Sequence, residues 1–319
     1  MILVTGASGY VGNTLVRRLV EAGKPVRAMV HSSSKAEVRL ADVREKIEIV
    51  PGDVTRPETL TPLMAGVSAV VHLVAVAIEK GDATYERINT QGTINVVDAA
   101  KAAGVRRFIN MSQNGADSSL PYRFLASKGK AQDYVAASGL DWTTLRPSAI
   151  WGPQDEFANV QARLIKLTPL IFPVVGDGQA KFQPVWVGDV VEAVARCLDE
   201  TSTIGQELGL GGPEVLTYEQ IVKRVLAALG ARRLTVHVPV PLLRPVVALM
   251  GLVLPNPPVT SGLLELLNID NTVEHNALTE VFDITPRPFV PENLGYMRQF
   301  TAMGSLKRLL GQTTADEAR

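Results

Sequence analysis

Three glycines set three residues apart, Gly6, Gly9 and Gly12, punctuate the opening segment Thr5-Gly-Ala-Ser-Gly-Tyr-Val-Gly12. The chemistry this spacing allows is anion binding by backbone. Gly6 permits a tight turn, Gly9 lets the main chain approach a diphosphate, and Gly12 lets a helix pack closely on a strand. A helix beginning here aims unpaired N–H groups at the anion. Thr5, Ser8, Tyr10 and Val11 complete the candidate phosphate-binding turn.

Such a turn works only between a buried strand and a helix, and the flanking pattern supplies both. Apolar runs predict strands over 1–5, 26–30, 47–50, 69–75, 107–110 and 143–146. Amphipathic patterns predict helices over 11–22, 89–103 and 127–138 between them. Strands apolar on both faces and joined by helices imply a parallel sheet covered on both sides. Right-handed crossovers make it an α/β, doubly wound Rossmann sheet. After Pro153 the rhythm changes to a loop-rich stretch with Pro169, Pro173, Gly176 and Gly178. A helix follows at 189–198, then a returning strand at 207–210, then a helix over 217–229 capped by Thr217. The predicted division is a dinucleotide-binding domain over 1–153 plus 183–212, a smaller α/β lobe over 154–182 plus 213–300, and a tail over 301–319, frayed from Gly311.

The residue ending the second strand discriminates between the two nicotinamide dinucleotides. An acidic side chain there accepts from the ribose hydroxyls and repels a 2′-phosphate. His31-Ser-Ser-Ser-Lys35 has no carboxylate. His31, Ser32 and Lys35 suit a phosphate, so NADP is preferred, with NAD as the alternative.

Several segments resemble the extended and atypical short-chain dehydrogenases. These are the glycine turn, Gly52-Asp-Val54, Asn89, Leu145-Arg-Pro-Ser-Ala-Ile-Trp-Gly-Pro153 and Val187-Gly-Asp-Val190. The resemblance implies that Asp53 and Val54 meet the adenine and that Pro147, Ser148, Ala149 and Ile150 pass the nicotinamide. It also assigns Leu73, Val74, Ala75 and Asn89 to the cofactor. Asn268-Ile-Asp-Asn-Thr-Val273 and Phe282-Asp-Ile-Thr-Pro-Arg-Pro288 resemble a narrower group, bacterial relatives of the nucleotide-binding accessory subunit of respiratory complex I.

The family pattern fails at one point. Its members use Tyr-x-x-x-Lys, two side chains on one helix face, and the matching segment here is Phe124-Leu-Ala-Ser-Lys128. The resemblance leaves ribose binding to Lys128, while a phenyl ring neither gives nor takes a proton. Ser112, with Gln113 beside it, stands near the family's serine, and Tyr122 is the nearest alternative phenol. A positioned general acid contributes about 10²–10⁴ in rate, so carbonyl reduction by tyrosine relay is not expected. Two functions follow. One is a structural, accessory or sensing subunit linked to complex I. The other is an NAD(P)-dependent reductase or epimerase-like enzyme for an apolar substrate such as a quinone or enone.

Lys+Arg 32 balances Asp+Glu 32, which argues against a nucleic-acid partner. The single cysteine, Cys197, excludes an intrachain disulfide and reads as a buried thiol. It fits a reducing, cytoplasmic setting, and a strand starting at Met1 leaves no room for a signal peptide. His72 reads as a satisfied core histidine, and His237 and His275 have no second ligand at metal spacing, so no metal is expected. The most apolar stretch, 239–255, is too short to span a bilayer. Three roles are open for it: core helix, partner interface, or a helix on the inner face of a membrane.

Overall fold

A computed structural model describes residues 1–267 and 269–312. Asn268, and the part of the frayed-tail expectation beyond Gln312, lie outside the described residues. The chain divides into two compact units. The first comprises Met1–Pro147, Val187–Leu210 and Glu274–Ile284. The second comprises the described residues of Ser148–Trp186, Gly211–Val273 and Thr285–Arg319.

The first unit is built on a seven-stranded sheet. Its order across the sheet is Gln206–Leu210, Asp141–Pro147, Arg107–Met111, Ala69–His72, Ile2–Thr5, Val26–Val30, Glu48–Pro51. Every pairing is parallel. The strand order reverses direction beside Ile2–Thr5, the place where a doubly wound sheet opens a crevice at its carboxyl ends. All four residues of Ile2–Thr5 are buried, as continuous apolar strands covered by helices must be. On the Tyr10–Glu21 helix, Gly12, Leu15, Val16 and Leu19 form one buried stripe. Gly23, at φ +69°, lies just past the Ala22 C-cap, where a left-handed residue can end a helix.

Several boundaries differ from the sequence expectation for physical reasons. The fourth strand ends at His72 rather than Ala75, because its neighbour turns away at Gly6 and leaves no ladder to continue. After His31 the chain forms a helix, Ser33–Arg39, with Ser32 as its N-cap, an element that the apolar patterns do not predict. The helix at 89 begins earlier, with a π-helical turn over Tyr85–Gln91 feeding Gly92–Ala102. The helix carrying Phe124 and Lys128 runs Arg123–Ala136, so both lie within it.

The second unit has its own core, with Trp151, Phe172, Val222, Phe289 and Phe300 among its buried members. Trp151 meets Phe289 edge-on at 5.4 Å. Residues read as loop-rich contain the helix Ala158–Leu167. Two short strands, Ile171–Val175 and Leu234–Val238, pair in parallel. Thr217 and Gln220 form a reciprocal capping box on Tyr218–Ala228, as the sequence predicts. The apolar helix, Val240–Val253, is not a core helix: Val247 is its one buried residue, and Leu252 is 84% exposed. Among the described residues no helix is long and apolar enough to cross a membrane.

Candidate functional site

The glycine turn has the geometry its spacing implies. Gly6 sits at φ +70°, and the Gly9 amide donates to its carbonyl at 2.9 Å. A β-carbon at position 12 would lie 2.1 Å from that same carbonyl oxygen, far inside contact distance. Gly9 is the N-cap of the Tyr10–Glu21 helix and has no side chain to cap the first amides. The first turn carries no acidic residue, so the positive end of the helix dipole is left for a ligand. Beneath the turn, the Thr5 hydroxyl bonds His72 Nδ1 at 2.8 Å and accepts from the Leu73 amide at 3.3 Å. His72 Nε2 meets the Thr93 hydroxyl at 3.0 Å. Burial, with Lys128 nearby, pushes the His72 pKa down to about 3, so the imidazole is a neutral strut.

At the end of the second strand the predicted residues part company. His31 is exposed, with Nδ1 3.9 Å from Asp53. Ser32 spends its hydroxyl on the Lys35 amide at 3.4 Å, and Lys35 is exposed. Arg39, unremarked in the sequence, reaches back from the last turn of this helix and donates to the Ser8 carbonyl at 3.3 Å. Its sequence signal was the spacing to Lys35, one helical turn. Partial burial works against charge on Asp53, yet the Thr55 amide and hydroxyl, each at 2.8 Å, with His31 and Arg56, hold its pKa below the usual carboxylate value. Val54 is buried and packs where a β-carbon at Gly92 would collide with it at 2.8 Å.

Leu73, Val74 and Ala75 form the loop leaving the sheet beside Gly6, with Val74 3.3 Å from the position of a Gly6 β-carbon. Asn89 is fully buried and clamps this loop. It accepts from the Val76 amide at 2.8 Å, donates to the Val76 carbonyl at 3.1 Å, and donates to the Ser127 hydroxyl at 3.1 Å. Its amide is thus committed to the chain and positions the loop and the Phe124 helix together.

On that helix Lys128 is 4% exposed and donates to the Met111 carbonyl at 2.7 Å. Burial lowers its pKa to about 8. The Met111–Ser112 backbone thus joins the two residues, and the Ser112 hydroxyl, itself buried, has no hydrogen-bond partner among the described residues. An orphaned hydroxyl beside a buried ammonium is what a polar ligand would complete. Phe124 lies one helical turn from Lys128, its ring edge-on to Tyr85 at 5.6 Å. Tyr85 gives its hydroxyl to the Ala77 carbonyl at 2.9 Å. Tyr122 is the N-cap residue, outside the regular helix and half-buried. Pro147 ends the sixth strand of the first unit.

Ser148, Ala149 and Ile150 belong to the second unit. There the Ser148 hydroxyl donates to the Asn271 carbonyl at 2.6 Å and accepts from the Gln183 amide at 3.2 Å. His237 and His275 each have one carboxylate, Glu219 at 3.7 Å and Glu280 at 3.6 Å. Among the described residues no group of three or more metal-ligating side chains is assembled.

Comparison with known proteins agrees with this geometry. Residues 6–166 match a family model described as NAD(P)H-binding. The chain is 28% identical over 280 residues to the Arabidopsis thaliana mitochondrial NADH dehydrogenase [ubiquinone] 1 alpha subcomplex subunit 9, covering 86% of this chain and 69% of that one. It is 30% identical over 260 residues to the 2-alkyl-3-oxoalkanoate reductase of Stenotrophomonas maltophilia, covering 73% and 76%. The fold is shared with the solved structure of gox2253, at TM-score 0.72 and 23% identity over 98% of this chain and 99% of that one. The chain belongs to the NAD(P)H-binding family of Rossmann-fold, short-chain-dehydrogenase-like proteins.

Proposed function

We propose that the protein holds NADP(H) as an accessory or sensing subunit associated with respiratory complex I, and does not run a tyrosine proton relay. The observation that carries this is Phe124, a phenyl ring one turn before a buried Lys128. The similarity to a plant complex I subunit supports the association. The residues present fit a dinucleotide. The helix amides behind Gly9 would take the diphosphate, Asp53 and Val54 the adenine side, and Lys128 with Ser112 the nicotinamide ribose. A bound dinucleotide supplies hydride chemistry or, unreacted, binding energy: a ligand specific to the native state adds about 2.7 kcal/mol at a hundredfold excess over its Kd.

The preference for NADP rests on Arg39, with His31, Ser32 and Lys35 around it. Arg39→Ala is expected to weaken NADPH binding about tenfold and leave NADH binding within about twofold, read by calorimetry. Equal losses for both would remove the phosphate assignment.

Lys128 gives a pH signature. Its ammonium, not the free amine, donates to ribose oxygens, and its pKa in the free protein is about 8. Binding therefore takes up a proton above that pH. NADPH affinity should be flat below about pH 7 and fall as pH rises through 8. Lys128→Met should flatten the curve; a slope that persists would assign it elsewhere.

A second reading, a reductase for an apolar substrate, is favoured by the orphaned Ser112 hydroxyl and by the similarity to the alkyl-oxoalkanoate reductase. One experiment separates the two. Purified protein is assayed for bound dinucleotide, then for NADPH oxidation with quinones, enones and alkyl ketones, and for co-purifying respiratory subunits. Steady turnover abolished by Lys128→Ala sinks the accessory proposal. Tight binding without turnover, together with those subunits, supports it.

A further inference from the structure

Exposed apolar surface is distributed unevenly. Of the sixteen large hydrophobics exposed among the described residues, thirteen lie in the second unit. On Val240–Val253 four of them, Leu242, Val246, Leu249 and Val253, recur at helical spacing and form one stripe. Val247, off that stripe, enters the unit's core and fixes which side faces out. A second helix, Ala302–Leu309, ends beside the first. The Asn256 amide donates to the Leu309 carbonyl, and its side chain donates to the Arg308 carbonyl, both at 3.3 Å. Leu306 and Leu310 are 44% and 49% exposed there, extending the apolar surface.

We propose that this face of the second unit docks on an anionic lipid bilayer, with the two helices lying in the plane of the interface. Three observations select a bilayer. The 14-residue helix is about 21 Å long, too short to cross the hydrocarbon. Arg244 is the only polar side chain from Val240 to Val253. A protein partner is normally fixed by about one hydrogen bond per 100–200 Å²; a face without donors or acceptors along its stripe suits a fluid, non-directional phase. The chain that forms it is basic: no carboxylate occurs between Glu219 and Glu265 or between Glu292 and Asp316. Of its basic side chains, Lys223, Arg224 and Arg308 pair with Glu219, Glu214 and Glu156, while Arg232 and Lys307 are exposed. Apolar burial plus basic residues are the two signals that stable surface binding needs.

The test uses the full chain with NADPH and sucrose-loaded vesicles of phosphatidylcholine, alone or mixed with phosphatidylglycerol. Co-sedimentation is expected with the mixed vesicles and about tenfold weaker with phosphatidylcholine alone. The double substitution Leu249→Glu with Val253→Glu should lower affinity for mixed vesicles at least about tenfold. Lys307→Glu should reduce the advantage of the anionic lipid several-fold. Because these side chains are exposed, NADPH affinity and thermal unfolding should match the parent, so failure here is distinguishable from failure of the cofactor assignment. Absence of binding to mixed vesicles, or binding the double substitution leaves unchanged, overturns the proposal. So does a self-associated species that the double substitution dissolves and that ignores vesicles.

Discussion

Gly9→Ala and Gly12→Ala should both cost at least about a hundredfold in dinucleotide affinity, yet only the second should damage the fold. At position 12 the new methyl would sit 2.1 Å from the Gly6 carbonyl oxygen and 2.9 Å from the Ala7 α-carbon, both backbone atoms. The helix and the turn must move apart, a cost of about 1–3 kcal/mol by the usual penalty for overpacking. At position 9 the methyl meets the Gly6 oxygen at 3.0 Å, and the backbone there is extended, with φ −71° and ψ 176°, which alanine tolerates. That methyl occupies the approach to the helix amides and needs the Gly6 carbonyl to give by only a few tenths of an ångström, so stability should fall far less than at position 12 while binding disappears. Isothermal calorimetry with NADPH and NADH, beside thermal unfolding, reads both quantities. An alanine at 9 that binds like the parent would mean the diphosphate is held somewhere other than this turn.

Phe124→Tyr should give the protein a carbonyl reductase activity about 10² above its background. A tyrosine there restores an acid one helical turn before Lys128, and a positioned acid is typically worth 10²–10⁴. The buried ammonium would lower the phenol pKa, as nearby positive charge does. Activity should then show a new basic limb in its pH profile. Because Tyr85 packs edge-on against this ring at 5.6 Å, the added hydroxyl projects from a side chain already held in place. NADPH oxidation with a panel of ketones measures the effect. If the variant keeps its cofactor affinity and still turns over nothing, this helix face does not meet the nicotinamide.

Much of the first unit was legible because its signals are local and redundant. Apolar runs such as Ile2-Leu-Val4 and Val70-Val71 can only be buried strands in an alternating pattern, and the glycine spacing names its own turn. Long-range consequences were less visible. The sequence patterns assign no element to His31-Ser-Ser-Ser-Lys35, because serine is neutral in a helix, but Ser32 acts as a cap and starts Ser33–Arg39. That helix places Arg39 by the phosphate turn, a contact spanning 31 residues that no local pattern reports. The stretch 239–255 was ambiguous because hydrophobicity fixes a helix's composition and not what it faces. Only the packing of Val247, with Val240 and Leu243 partly buried beside it, shows that the stripe Leu242, Val246, Leu249 and Val253 is left outside. The family pattern assigns Asn89 to the cofactor, while its bonds to Val76 and Ser127, which hold the loop and the Phe124 helix together, leave no mark on the local sequence.

The interleaving of the two units along the chain constrains how the protein is made. The strand Asp141–Pro147 pairs with Gln206–Leu210, which a ribosome delivers only after the whole first segment of the second unit. At about 5–20 residues per second the nascent sheet waits several seconds with Thr143, Thr144 and Leu145 offering an unpaired edge to solvent. Fragments ending near Pro147 would keep that edge permanently, so a clone truncated there should yield aggregates rather than a minimal nucleotide-binding module.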